Sequence, residues 1–580
     1  MKNCLLTVSF ALLSLFIKAQ SPALNLYADT IHWPFIYGVA SGDPTTTTIQ
    51  LWTYVEPTVL GQDVTWLVAT DSIFTNVVAS GAVTVTANNG YTAKPVATGL
   101  QPNTNYYYRF YAPGNSLSVT GRTHTAPINP NQPVKFGIAS CSSVFSGYFN
   151  GYRQMARDSS IDLIIHLGDY IYDFVDEDEQ VRITTPFPTS PNNLNKWRER
   201  QMYYLLDPDL RLARQMHPWV QTWDNHDFEQ NGSVGARAFF EFTPITQPLP
   251  NDSTRIYRKI SYGLTDIFLI DLMSYRNDDE ISPGNNSSLG LAQFAWLTQG
   301  LATSTAKWKI VGSPKMMTQW SIAGLEQVIG SSSPVLFTSS WDGFPAERAA
   351  FLSYIDSAQI DNVVVLSGDS HFSQSADLPL NPNNSSEYNP ETGVGSVAVE
   401  YLPTSISRGN FDEMGFSASL QDFIIGLINT NNPNHIYTEL IQHGYGLLNV
   451  GADSAIADYV YCPILELSDD TVMAGRLVVM DGENHWKRQT TVTPNGIADN
   501  VAEKIIVYPN PANDALWVQM PKNIQYTKLE VYDNVGRKVT SQTITDNIEK
   551  VETAQLANGM YFITLNSADK QPVFIRFLKD

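Results

Sequence analysis

The pattern of apolar positions divides this chain into three regions. From Ser21 to about Ala126 they alternate or run β-branched over short stretches, as in "TIQLWTYV" and "AVTVTA", with Gly, Pro and Asn between them. "ATGLQPNTNYYYRFYAP" reads as a turn followed by an aromatic strand. Short strands at this spacing predict a β-sandwich. "APINPNQP", Ala126–Pro133, is a Pro/Asn-rich linker. After it, apolar strand runs alternate with helical stretches such as "LAQFAWLTQGLATS" and "AERAAFLSYIDSA", as far as roughly Arg488. That alternation predicts an α/β layered domain. A second polar linker, "KRQTTVTPNGIADNVAEK", precedes short strands with turns at Pro-Asn-Pro, Val-Gly-Arg and Asn-Gly, enough for a small β-sandwich. The expected segments are 1–20, 21–128, 129–490, 491–504 and 505–580.

Composition narrows the function classes. Hydrophobic residues are 43% and charged residues 16% of the chain, which fits a folded protein. The formal net charge of −21 repels polyanions and argues against a nucleic-acid-binding module. Small anionic substrates stay open, because bound metal ions reverse the local field. "MKNCLLTVSFALLSLFIKAQ" reads as a secretory signal peptide, with Lys2 ahead of an apolar core of about 13 residues. That core is too short for a membrane anchor. Beyond it no later segment reaches transmembrane length, so an exported, soluble protein is expected; a monomer is expected as well. Processing leaves Cys141 and Cys462, which either pair as one disulfide or are unrelated, one of them a ligand.

The chemistry concentrates in four segments of the middle region. Each is an apolar run followed by an abrupt polar cluster. "VKFGIASCSS" ends at Cys141, and "IDLIIHLGDYIYD" at Asp169 and Tyr172. "HPWVQTWDNHDFEQN" ends at Asp224, Asn225, His226 and Asp227, and "NVVVLSGDSHFS" at Asp369 and His371. Any one of these is equally well a strand leaving the core through a polar turn. Four together, holding Cys, Asp, Tyr, Asn and His, form a metal-ligand inventory. As strands of one sheet they would end at the carboxyl edge, where open α/β sheets bind ligands. Thiolate and phenolate suit Fe(III), although Zn(II) also accepts Cys and His. Asp and Asn oxygens suit Ca(II) or Mg(II). A bridging carboxylate would make a two-metal site, which neutralises phosphate oxygens and activates a water. Asp369 and His371 lie two apart, so an extended turn would project both to one side.

On these residues the chain resembles the metallophosphoesterase superfamily, specifically its PhoD-like branch of alkaline phosphatases and phosphodiesterases. That branch has Ser-Cys, Gly-Asp-x-x-Tyr, Trp-Asp-Asp-His-Asp/Glu and Gly-Asp-x-His; here stand Cys141, Asp169 with Tyr172, "WDNHD" and "GDSH". "FIYGVASGDPTTTTIQLWTYV", "DPDLR", "STAKWKIVGS" and "SSWDGFPAER" extend the likeness from about Phe35 to Arg488. The resemblance implies a four-layer α/β metallophosphoesterase sandwich, preceded by a fibronectin type III-like β-sandwich. It further implies that Cys141, Asp169, Tyr172 and His371 hold Fe(III). Asp169 would bridge to a second metal, one or two Ca(II), also bound by Asn225 and Asp369, with Zn, Mn or Mg as substitutes. His226 would protonate the leaving-group oxygen, and a metal-bound hydroxide would attack a small phosphate mono- or diester.

Two departures stand out. Asn225 replaces the branch's usual second Asp. Met273 in "LIDLMSYRND" stands where the first Arg of Asp-x-Arg-x-Tyr-Arg is expected, while Asp271 and Arg276 remain. Arg276 is taken as a catalytic residue that orients phosphate, and Arg408 and His443 are weaker candidates. His166 and His217 are read as structural. "SIAGLEQVIGSSSPVLFTSS" and "GFSASLQDFIIGLINTNNPNH" are candidate lids. "VYPNPANDALWV", "LEVYDNVGRKV" and "LANGMYFITL" resemble a type A sorting domain of the type IX secretion system, which implies that machinery as partner and a secreted or surface location. The competing function is a catalytically silent binding or adhesion protein on the same fold.

Overall fold

The computed structural model describes residues 24–57, 63–114, 116–228, 233–247, 254–277, 286–323, 333–411, 418–489, 505–509, 512–520, 526–533, 537–567 and 573–579. The expected signal peptide and residues 490–504 of the second linker lie outside these residues, as do parts of both candidate lids; Lys487–Arg488, expected as linker, is a short strand paired with Leu477 and Val478. The chain forms two compact units, Met1–Thr491 and Val492–Asp580.

The first unit is built on two large sheets. One has eleven strands, and its centre is three parallel strands, Val134–Ala139, Leu163–His166 and Pro218–Gln221. The other has seven; its parallel core is Thr265–Leu269, Trp308–Ser313, Val363–Ser367 and Ser396–Leu402. Strands buried on both faces need apolar residues at every position, and Val363–Ser367 is buried throughout. Its alternate residues divide between two cores. Val364 and Leu366 pack with Ile138, Leu163 and Ile165 between the sheets. Val363 and Val365 face outward, with Leu297 and Leu301 of helix Gly290–Thr303 and Phe351 of helix Pro345–Ser357. On the far side Ile164 packs with Tyr152 and Met155 of helix Asn150–Arg157 and Leu210 of helix Pro208–Met216. Helix, sheet, sheet and helix make the four layers that the resemblance implied.

The N-terminal strands do not all stay in their own sandwich. Asn105–Ala112 lies in a five-stranded sheet with alternating burial, as its aromatic pattern predicts. Val39–Gly42, however, pairs in parallel with Pro218–Gln221, with Ser41 opposite Pro218. Strand Ile49–Tyr54 follows it into the eleven-stranded sheet. Among the described residues of the second candidate lid, Ala418–Asn431 is an α-helix. Cys141 and Cys462 are both buried and free, so they form no disulfide. His166 is fully buried, with Nε2 3.0 Å from the Tyr152 hydroxyl. His217 ends helix Pro208–Met216 with its ring buried between the Ile161 and Met155 carbonyls. Among the described residues no helix is long and apolar enough to cross a membrane.

The second unit has a three-stranded and a four-stranded antiparallel sheet. Alternate residues Leu516 and Val518, Leu529 and Val531, and Ile563 and Leu565 share one core. This is the small β-sandwich that the alternation predicted.

Candidate metal centre

The four strand ends converge, but from two sheets rather than one: three of them end strands of the eleven-stranded sheet, and the fourth ends Val363–Ser367 of the seven-stranded sheet. Neighbouring turns are tied by backbone hydrogen bonds: Cys141 N–H donates to the Gly168 carbonyl at 3.2 Å, and Ser142 N–H to that of Asp169 at 2.9 Å. Asp227 links two further turns, accepting from the N–H groups of Tyr170, Ile171 and Asp224 at 3.1–3.2 Å. Burial pushes the Asp227 carboxyl up to about 8, and the Asp169 charge adds to the rise.

Both Gly-Asp motifs need their glycine for close approach. At Gly168, φ is +110° and a Cβ would meet the Asp224 Cβ at 2.7 Å. At Gly368 a Cβ would meet the Pro314 carbonyl oxygen at 2.9 Å. Four of the candidate ligands are held in left-handed backbone. Cys141, Asp169, Asp369 and His371 have φ of 55°, 51°, 70° and 63°. Each costs about 1–2 kcal/mol relative to ordinary backbone. Such strain gathers where surrounding structure holds functional groups in place. The "GDSH" turn is therefore not extended, as its spacing suggested, but coiled to the left at both candidate ligands.

Two groups of donors result. Ligand atoms of Cys141, Asp169 and His371 lie within 4.8 Å of one another, as do those of Asp169, Asp224 and Asp369. Asp169 belongs to both. Tyr172 joins the first group, its hydroxyl 3.1 Å from His371 Nε2. His371 Nδ1 faces the Gly409 carbonyl at 2.8 Å and must donate to it, which leaves the Nε2 lone pair for a metal. Burial lowers the His371 pKa and keeps the ring neutral.

Burial also pushes the Cys141 thiol well above its ordinary value, and Asp169 and Asp369 push it further. The Tyr172 phenol rises for the same reason, with Cys141 and Asp169 next to it. As anions these donors repel one another in a dry site, and a cation among them reverses the balance. The second group gives a sharper sign: Asp224 is 1% exposed and its Oδ1 has no hydrogen-bond partner. A buried carboxylate oxygen left alone is costly unless a cation reaches it. Both donor sets therefore fit metal ions, a soft-and-anionic set on one side of Asp169 and an all-oxygen set on the other.

His226 stands beside both groups. Its N–H donates to Asp169 Oδ1 at 3.2 Å, its Nδ1 lies 2.8 Å from Asp173 Oδ1, and its ring centroid is 4.3 Å from that of Tyr172. Burial opposes its protonation, but Asp169 and Asp173 outweigh it and push the pKa up to about 9.

Asn225 is exposed, with Oδ1 3.2 Å from Lys315 Nζ. Arg276 donates to the Ser339 carbonyl at 2.9 Å and lies over the Phe344 ring; none of the contacts described for it reaches the two donor groups. Arg408 pairs with Glu179 and lies over the Tyr172 ring at 5.5 Å. His443 Nδ1 is 3.1 Å from the Ser405 hydroxyl. Met273 is half-buried and packs on the core beneath the site.

Sequence reasoning passed over Asp224, Asp173 and Lys315. Asp224 stood in the quoted cluster beside Asn225, and only the backbone path shows that it faces the same group. Lys315 Nζ lies 2.8 Å from Asp224 Oδ2 and 2.9 Å from Asp369 Oδ1. Burial opposes its charge, but Asp224, Asp369 and Asp169 hold the ammonium above the ordinary lysine value. The available signal was a lone Lys two residues past an apolar strand, in "VGSPKMM".

Comparison with known proteins agrees with this architecture. The chain matches the PhoD-like phosphatase family over residues 136–233 and 227–459. The chain belongs to the PhoD-like phosphatases. It also matches the N-terminal domain of these phosphatases over residues 20–127 and a secretion system C-terminal sorting domain over 506–576. Alkaline phosphatase D of Bacillus subtilis (strain 168) is 33% identical over 423 residues, 65% of this chain and 70% of that protein. A solved structure of PhoD superposes with a TM-score of 0.69 at 28% identity, covering 80% of this chain and 94% of that one. As a PhoD-like phosphatase the protein is a metal-dependent phosphoesterase, and its sorting domain marks it for the secreted or surface fraction through the type IX system.

Proposed function

We propose that this phosphoesterase hydrolyses small phosphate mono- or diesters outside the cell at an Fe(III)/Ca(II) centre. The observation that carries the reading is the sharing of Asp169 between a Cys141–His371 group and an Asp224–Asp369 group. Cys141, Tyr172, His371 and Asp169 would hold the ferric ion, since thiolate and phenolate favour a high-charge metal. Asp169, Asp224 and Asp369, with Asn225 at the rim, would hold calcium through oxygen alone. When bound, these ions neutralise phosphate oxygens and lower the pKa of a water. Zn, Mn or Mg would substitute with the same donor sets.

His226 is the proton donor in this reading. Asp173 fixes its Nδ1 and, by its own charge, favours the protonated ring. A protonated imidazole can pass its proton to a leaving alkoxide or phenoxide that would otherwise depart slowly. The signal peptide, and the sorting domain once export is complete, would be removed.

Metal analysis and absorption spectroscopy of the purified protein test the metals. Bound iron with a visible charge-transfer band is expected; zinc alone, without such a band, would sink the ferric assignment. Rates on matched aryl phosphate mono- and diesters, with and without added calcium, decide the substrate class.

A further inference from the structure

We propose that Lys315 is a built-in cation of the centre, whose ammonium takes the position of one divalent ion, so that Asp224 and Asp369 hold a single calcium beside the iron. This rests on the reading of the Asp169–Asp224–Asp369 group as a cation site.

Lys315 is 2% exposed, and its ammonium has three oxygen neighbours: Asp224 Oδ2 at 2.8 Å, Asp369 Oδ1 at 2.9 Å and Asn225 Oδ1 at 3.2 Å. An ammonium has three donors, so this set satisfies it without water. All three neighbours belong to the residues that an all-oxygen site would use. Lys315 thus already occupies one oxygen of each carboxylate.

What remains is asymmetric. Asp224 Oδ1 is buried and has no hydrogen-bond partner, while Asp224 Oδ2 is taken by Lys315. Charge points the same way. When ionised, Asp169, Asp224 and Asp369 bring three negative charges, of which Asp169 is shared with the iron side. A fixed ammonium offsets one of the other two. A second divalent ion would have to share Asp224 Oδ2 or Asp369 Oδ1 with that ammonium at close range, where like charges in a dry site repel strongly. Lysine also differs from a metal in kind: it cannot dissociate, so part of the centre's positive charge is independent of the calcium supply.

Calcium counting on the iron-loaded, full-length protein tests this. Equilibrium dialysis against calcium, followed by elemental analysis, should give one calcium per iron in the wild type. Lys315→Met should take up two, and Lys315→Arg, which keeps the charge, should stay at one. Lys315→Gln serves for the same comparison if the Met variant loses its iron. A wild-type count of two overturns the proposal whatever the variants do. A Met or Gln variant that keeps its iron and still binds one calcium overturns it as well. Failure of the underlying site would look different, as a wild type with neither iron nor calcium.

Discussion

His226 Nδ1 meets Asp173 Oδ1 at 2.8 Å, across 53 residues of chain. The pair explains how a half-buried imidazole can stay charged. Burial pulls its pKa down, yet Asp169 and Asp173 push it up to about 9. A general acid works while protonated, so turnover of esters with poor leaving groups should fall as pH rises through the His226 pKa, which metal binding at Asp169 moves below the metal-free value of about 9. Asp173→Asn removes one raising charge and should move that alkaline limb down by about one pH unit. An unchanged kcat–pH profile would separate Asp173 from the proton donor.

His226→Ala should keep iron and calcium while losing activity selectively. The expected loss is roughly 10²–10⁴-fold in kcat on esters with poor leaving groups, and little on activated aryl esters. Equal loss on both substrates would assign His226 to binding.

Cys141→Ser tests the first donor group. The hydroxyl stays protonated where a thiolate would bind, so iron affinity should drop by at least about tenfold, and the visible band should weaken or vanish. Iron content by elemental analysis checks it; retention of the full complement would take Cys141 out of the ligand set.

Gly168→Ala would put a methyl 2.7 Å from the Asp224 Cβ in a backbone conformation with φ of +110°. The cost should be about 1–3 kcal/mol of stability from the backbone alone. Displacement of Asp224 should also weaken calcium binding. Thermal unfolding and calcium titration read the two effects separately.

Deletion of the unit Val492–Asp580 should leave hydrolysis by the purified protein unchanged, because the first unit contains both donor groups. Export should be lost, with the protein retained in the periplasm. Activity recovered in the medium from the truncated chain would contradict the sorting role.

Much of this was legible along the chain because it is local. Apolar runs that end in Cys, Asp-Tyr, Asp-Asn-His and Asp-His announced both the strands and their polar ends. The two Gly-Asp pairs announced sharp turns. Alternation in the C-terminal segment announced its sandwich. Each of these patterns repeats over a few residues, so neighbours in sequence suffice to read it.

Only the tertiary structure decided the rest. Sequence placed Asn225 among the ligands and passed over Asp224; packing buries Asp224 with Oδ1 unpartnered beside the exposed Asn225. Sequence read the turn of Asp369 and His371 as extended; the approach of Pro314 and Ser140 to Gly368 accompanies a left-handed path. The strand Val39–Gly42 read as part of a separate sandwich, yet it pairs with Pro218–Gln221. Lys315, one lysine among 36 basic residues, carried no local mark of its position. The physical reason is common to all four. Hydrophobic periodicity is a short-range code, whereas the burial of a charge and the choice of its partners depend on chain segments far apart in sequence, brought together only when the two sheets pack.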